Sequence, residues 1–550
     1  MGRIRGAMQR GDVAGARMIA EQAFAAAPGD AALADTAGDL ALKSGDAITA
    51  EKRFREASRL RPDHLDFALN HAIALQQLGR HREVLASLVP RENHGRNVPR
   101  YASLRATSHR AVGEKAQAAR WYDAVLALDP RHVRGLHGRA RTALERGEPD
   151  ALARFDAALA VNPGDPDLWL GKAQAFDVAG DRDAARVLAE QICTQAPRFT
   201  AALAFLSGLL LAQGEEDFAA AFRTAQDKAP QDPHIAQQHI ATLAGLDRDE
   251  EAAEIAAQAS RRFPNEPFFA LQQAVHLGAT GHWERAGAIF AALPADIPGR
   301  ALHEARHAMR GNDMVRAEAL LDKALAADPW NISAWAHRGI VWRATGNPRA
   351  HWLHEQDGLI RTLPLRGRDG LLEACVGELR RLHAGSAMPL GQSLRGGTQT
   401  RGILFDRTEP IFAELRDAIL STLEDYRTGL PQADAAHPFL RHRDAEWDLA
   451  GSWSVRLTGG GDHHTAHIHP QGILSSALYL VVPDAAEGPE QEGWLEVGRP
   501  KRDLGLDLPP IRTIKPVPGH LALFPSTAYH GTTPFRSAER MTVAFDVVAS

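Results

Sequence analysis

The sequence predicts an all-α repeat solenoid over residues 1–360, followed by a jelly-roll β-barrel with flanking helices over residues 361–550. Three observations carry this. Glycine and proline recur with a period of about 34 residues through the first region. From residue 451 the pattern changes to short strand-like runs separated by Gly and Pro. Inside that second region, Gly461 to Pro470 reads GDHHTAHIHP, with four histidines in seven residues.

The glycines of the repeat stand at 11, 45, 79, 113, 147, 180 and 214, skip one turn around Leu246-Asp247, and resume at Gly281, Gly311 and Gly346. A second series, out of phase, is formed by prolines at 28, 62, 130, 163, 197, 230, 264, 294 and 329. Two breaks per period mean two helices per repeat. Glycine takes the left-handed turn inside a pair, and proline, which cannot continue a helix, separates one pair from the next. Units such as NPGDPDLWLGKAQAFDVAGDRDAARVLAEQICTQAP (162–197) and DPWNISAWAHRGIVWRATGN (328–347) resemble tetratricopeptide repeats. The punctuation counts about eleven helix pairs over residues 1–360, and their stacking gives a right-handed solenoid. The resemblance implies a concave face that receives a protein or peptide partner. Trp121, Trp169, Trp283, Trp330, Trp335 and Trp342 read as core residues of the pairs.

Composition excludes several classes of function. With 44% hydrophobic residues, 24% charged residues and a net charge of −5 over 550 residues, nothing calls for nucleic acid or an anionic membrane as partner. Cys193 and Cys375 stand alone, which argues against a disulfide scaffold or a cysteine-ligated metal and fits a reducing compartment. The first twenty residues hold no continuous apolar core, and the most apolar run, Ala201 to Ala212, is too short to span a bilayer. A cytoplasmic location is the expectation.

Between about 350 and 450 the period stops. GLLEACVGELRRLHAG (370–385) and PIFAELRDAILSTLEDYRTGL (410–430) read as amphipathic helices. The loop between them, PLGQSLRGGTQTRG (389–402), lacks the Gly-Lys-Ser/Thr ending of a phosphate loop. It reads either as a border of the active site or as plain surface. Eight strand candidates follow: SWSVRLT, HTAHIHP, LSSALYLVV, GWLEVGR, IRTIKPV, HLALFP, YHGTTP and RMTVAFDVV. Eight short strands in about 100 residues suit a compact jelly roll.

His467 and His469 form a His-x-His pair, and residues two apart on a strand share a face. His530 follows 63 residues after the start of that pair's segment at His467. Three imidazoles of this kind can bind Fe(II) on one face and leave the other open, as an oxygenase site requires. Arg540 comes ten residues later; its guanidinium can grip a carboxylate bidentately, and the Thr542 hydroxyl lies on the same face.

Taken with HIHP at 467–470, LSSALYL at 474–480, GHLALFPSTAYH at 519–530 and ERMTVAF at 539–545, the C-terminal region resembles the 2-oxoglutarate- and Fe(II)-dependent oxygenases of the prolyl-hydroxylase-like superfamily. The resemblance implies a double-stranded β-helix barrel. It implies iron on His467, His469 and His530, and O2 as oxidant. It further implies that Arg540, helped by Thr542 and Tyr479, holds the distal carboxylate of 2-oxoglutarate. The chain departs from the wider superfamily at His469, where a carboxylate is usual. The alternative is that His469 is not a ligand, leaving a two-histidine site or a shell completed by a carboxylate such as Asp462, and His463 and His464 read as loop or supporting residues. Two other readings stay open: a cupin-type three-histidine dioxygenase, and a catalytically inactive adaptor built on the solenoid.

Overall fold

The computed structural model describes residues 2–386, 393–484, 491–536 and 539–549; positions 389–392 of the loop read above therefore lie outside the described residues. The chain divides into two compact units, Met1–Ala175 and Phe176–Ser550. The first consists of helix pairs. The second contains the later pairs, which run to Ile332–Ala344, together with every strand.

The pairs form where the punctuation predicts. Aspartates open many of the helices: Asp30 accepts from the backbone N–H of Ala32 and Leu33, and Asp46, Asp181 and Asp313 cap theirs in the same way. Where one helix must lie against an aromatic of a neighbouring helix, the sequence supplies glycine. A Cβ on Gly38 would come 2.7 Å from the Phe54 ring, and one on Gly171 would come 2.2 Å from that of Phe155. Inside each pair the chain turns through a left-handed residue, for example Gly45 at φ 80° or Gly281 at φ 85°. At the skipped turn that residue is Asp247, φ 56°. In the unit that follows Pro294 it is Asn312, φ 57°, and not the expected Gly311, which has φ −80°. Asp and Asn are the side chains that best tolerate this region. The last helix, Ile332–Ala344, is followed by a π-helical turn, His351–Glu355, in place of a second full helix. Of the tryptophans read as core, Trp342 is buried, whereas Trp283 and Trp330 are exposed, the latter lying under the Arg441 guanidinium.

Among the described residues eleven strands follow: β1 (Arg361–Pro364), β2 (Leu394–Arg395), β3 (Thr398–Gln399), β4 (Trp447–Leu457), β5 (His463–His464), β6 (Leu474–Val481), β7 (Leu495–Val497), β8 (Arg512–Ile514), β9 (His520–Pro525), β10 (His530–Thr532) and β11 (Arg540–Ala549). They form a six-stranded sheet in the order β1-β9-β6-β11-β4-β3, a three-stranded sheet β10-β7-β8 and a two-stranded sheet β2-β5. Among the described residues all pairings are antiparallel, and an isolated bridge pairs His467, in the segment after β5, with His530 of β10. This is the jelly-roll plan of two facing layers.

Helices Leu371–Ala384 and Pro410–Thr428 cover one face of the large sheet, burying Leu379, Leu415, Ile419 and Leu423 against Leu478, Leu521, Val543 and Phe545. The period of two in β11 then decides the other face. Met541, Val543, Phe545 and Val547 enter this core, so Arg540, Thr542, Ala544 and Asp546 point the opposite way, into the barrel. Within the second unit the segments flanking the smaller sheets pack on the last helix pairs: Leu504 and Tyr529 are buried with Met309, Leu321 and Ile340. The Tyr529 hydroxyl donates to His337 Nε2 at 3.2 Å, which anchors the residue next to His530.

Candidate metal centre

Ala466 and Ile468 pack toward the apolar cluster of the helix pairs, so His467 and His469 face inward. The period of two thus persists, but not on the continuous strand expected for HTAHIHP. The strand β5 ends at His464, His467 makes one isolated bridge, and the chain is irregular around His469 and Pro470. Proline lacks the N–H needed to continue a ladder. His467 and His530 exchange both backbone hydrogen bonds at 2.9 Å, which sets their rings side by side with centroids 4.2 Å apart.

The ligand nitrogens of His467, His469 and His530 all lie within 4.8 Å of one another. Their outer nitrogens are all engaged. His467 Nδ1 faces the Thr465 carbonyl at 2.8 Å, His530 Nδ1 faces the Ala528 carbonyl at 3.2 Å, and His469 Nδ1 meets the Asp546 carboxylate. Oxygens of these kinds only accept, so each Nδ1 carries the proton and each Nε2 presents a lone pair. The Nε2 atoms of His467 and His469 are 3.1 Å apart. That is close to the separation of two cis nitrogens each about 2.1 Å from one ion in octahedral geometry. Burial, reinforced by the neighbouring histidines, holds His467 and His530 well below the usual imidazole pKa, so both are neutral near pH 7. Two buried lone pairs at this distance repel unless a cation or a proton lies between them. The trio fits a divalent metal.

Supporting contacts surround it. Ser393 Oγ lies 3.2 Å from His467 Nε2 and 3.1 Å from His464 Nδ1. Trp453 stacks on His469 with centroids 5.6 Å apart. His463 turns back to its own loop, bonding the Gly461 carbonyl. Asp462 accepts from the Thr458 N–H and lies against Gly396; it is not among the grouped ligand atoms.

The trio opens on a cavity of about 760 Å³, within the range of about 300–1,000 Å³ usual for small-molecule sites. Arg540 and Thr542 line it from β11. Arg540 is 2% exposed, and among the described residues it forms no salt bridge. Among the described residues its Nε is buried without a hydrogen-bond partner, as is the hydroxyl of Tyr479, whose ring lies 5.5 Å from the guanidinium. Burial lowers the Arg540 pKa and pushes the Tyr479 phenol up to about 12. A buried guanidinium with no counter-charge is costly unless an anion joins it. The cavity therefore fits a ligand that brings a carboxylate to Arg540 and donor atoms to the metal.

The mouth is lined from two directions. Ser393, Arg395 and Gln399 of the upstream loop border the cavity, so of its two readings the described part follows the first. From the helix pairs come Ala244, Gly245 and Asp247. Asp247 pairs with Arg395, Nε to Oδ2 at 3.1 Å, and lies 3.8 Å from Lys501 Nζ. At this position, where the repeat ordinarily has glycine, Asp carries a left-handed strain of about 1 kcal/mol. An exposed ion pair returns about 0–1 kcal/mol. Asp247→Gly is therefore expected to leave the thermal midpoint unchanged or higher, and Asp247→Ala, which keeps the strain without the pair, to lower it. Thermal unfolding that ranks Ala above Gly would overturn this account.

Residues 451–546 match the family model described as "Putative 2OG-Fe(II) oxygenase". The matched segment runs from within β4 to Asp546 and contains the three histidines, Tyr479, Arg540 and Thr542. Solved structures with helical likeness include a tetratricopeptide repeat protein from Parabacteroides merdae, at 18% identity over 44% of this chain and 96% of that one, TM-score 0.35. Yeast Tom70 matches at 12% identity over 64% of this chain and 96% of that one, TM-score 0.32. The Cut9–Hcn1 hetero-tetramer of the APC/C matches at 14% identity over 63% of this chain and 75% of that one, TM-score 0.30. No curated protein matches the chain. No helix among the described residues is long and apolar enough to cross a membrane.

Sequence reasoning missed Asp546, Trp453, Ser393 and Asp247. Only the first two carried a readable signal. Asp546 stands six residues after Arg540, hence on its face of β11, and Trp453 lies in a strand already recognised.

Proposed function

We propose that the protein is an Fe(II)- and 2-oxoglutarate-dependent oxygenase that hydroxylates a protein or peptide reached along its helix pairs. In this reading residues 1–360 form the tetratricopeptide solenoid and residues 361–550 the catalytic domain. His467, His469 and His530 hold Fe(II), and Arg540, with Thr542 and Tyr479, receives the distal carboxylate of 2-oxoglutarate. When bound, iron would supply the activation of O2 and 2-oxoglutarate two of the four electrons for its reduction, leaving succinate and CO2, while the C–H bond that is hydroxylated supplies the other two.

One observation carries the proposal: three converging lone pairs and a buried guanidinium that has no salt bridge among the described residues line the same cavity. The histidines present one face and leave the other open to that cavity. Each is held in its tautomer by an outer hydrogen bond, so no reorganisation is needed on loading. Arg540 matches a planar carboxylate better than a point charge would. It also favours 2-oxoglutarate over a cupin-type site, which needs no buried guanidinium. The solenoid enters through the Ala244–Asp247 turn, which lines the cavity mouth and would meet any polypeptide that reaches the metal.

The test is anaerobic titration of Fe(II) and 2-oxoglutarate into the full chain, read by the visible metal-to-ligand charge-transfer absorption. The band is expected in the wild type. Iron binding without a band would return the cupin reading, and no iron binding at all would leave the helix pairs as the functional part.

A further inference from the structure

We propose that Asp546 is a positioning residue for the metal site, lending its negative charge through His469 to a ligand set that is otherwise neutral. This rests on the metal reading above. Three neutral imidazoles leave the full charge of a divalent ion uncompensated, and Arg540 adds a further buried positive charge to the same cavity. The described lining contains two carboxylates, Asp247 and Asp546. Asp247 is engaged at the mouth by Arg395. Asp546 remains, and its Oδ1 accepts from His469 Nδ1–H.

The three ligands are not equivalent in this respect. His467 and His530 donate to main-chain carbonyls, which orient a ring but carry no net charge. Only His469 donates to a carboxylate. Such a contact fixes the ring and raises the basicity of the opposite nitrogen, which strengthens the metal bond. The backbone is shaped for it. The pairing of β11 with β4 shifts register between Asp546 and Val547, but the unpaired residue, Ala450, lies on β4, so β11 keeps its alternation and Asp546 stays on the cavity face with Arg540 and Thr542. Gly472 leaves the room: a Cβ there would lie 3.3 Å from the Asp546 Cβ.

The experiment is calorimetric and spectroscopic titration of the full chain with Co(II) alone, on wild type, Asp546→Asn and Asp546→Glu. Asn keeps an acceptor for Nδ1–H and removes the charge. It is expected to weaken Co(II) binding about 10- to 100-fold and to shift the visible Co(II) bands, while the metal-free thermal midpoint stays put. Glu, which retains the charge, is expected to recover part of the affinity. Unchanged affinity and spectrum in Asp546→Asn would overturn the proposal, as would equal losses in the Asn and Glu variants. If the wild type itself takes up no Co(II), the metal reading falls, and this inference falls with it.

Discussion

His530→Ala is expected to abolish metal-dependent stabilisation while leaving the metal-free protein folded. The backbone at this position does not depend on the side chain, because the N–H and carbonyl of residue 530 pair with those of His467 at 2.9 Å. What is lost is one of three converging lone pairs. Two imidazoles without a third hold a divalent ion far more weakly, and the Fe(II)/2-oxoglutarate band should vanish. A ligand that binds only the folded state stabilises it by RT ln(1 + [L]/Kd), about 2.7 kcal/mol when the ion stands at 100 times its Kd. Thermal unfolding with and without Mn(II) reads this directly. The wild-type midpoint should rise by a few degrees and that of His530→Ala should not move. A midpoint that rises equally in both proteins would place the metal elsewhere. A metal-free variant that fails to fold would instead assign His530 a structural role.

The repeat was legible because its two punctuation marks, glycine inside the pair and proline between pairs, act locally through φ and through the missing N–H. Legibility ended where another residue served the same backbone need. Asp247 and Asn312 adopt the left-handed turn without the glycine that flags it. The strand β1 was missed for a related reason. Arg361–Pro364 is four residues long, ends in proline, and exists only as an edge paired to β9. In the site, alternation alone indicated that His467 and His469 share a face, and they do so although no regular strand carries them. The same alternation reaches Asp546 from Arg540, while Asp462, the carboxylate considered instead, is closer in sequence to the histidines but turns toward Gly396. Ser393 and Asp247 carry no local signal. Their place in the cavity is set by packing between segments 74 residues apart for Ser393 and His467, and 148 apart for Asp247 and Arg395. That Arg540 lacks a counter-charge among the described residues is likewise a property of the assembled barrel, since it depends on what the described neighbouring strands do not supply.

That missing counter-charge sets the second expected result, in which stability and function move in opposite directions. Arg540→Met removes a fully buried cation whose desolvation nothing in the described protein offsets, and fills the space with an apolar chain of similar length. Replacing buried charge by apolar volume is often neutral or stabilising by about 1–4 kcal/mol. The metal-free thermal midpoint of Arg540→Met should therefore equal or exceed that of the wild type. Binding of 2-oxoglutarate should suffer the reverse. Truncating one partner of a buried charged pair costs about 2–5 kcal/mol, a loss of about 30-fold or more in affinity. Arg540→Lys keeps the charge but not the fork, and should fall between the two. Tyr479→Phe provides the internal comparison, because it removes an unsatisfied hydroxyl beside the guanidinium without touching the charge. It should weaken 2-oxoglutarate by less than Arg540→Lys does. The measurements are the metal-free melting temperature and the dependence of the charge-transfer band on 2-oxoglutarate concentration. A large fall in melting temperature with unchanged 2-oxoglutarate binding would make Arg540 a structural residue and remove the main support for 2-oxoglutarate as cosubstrate. A rise in melting temperature with lost binding is what an anion site held open at the expense of the fold requires.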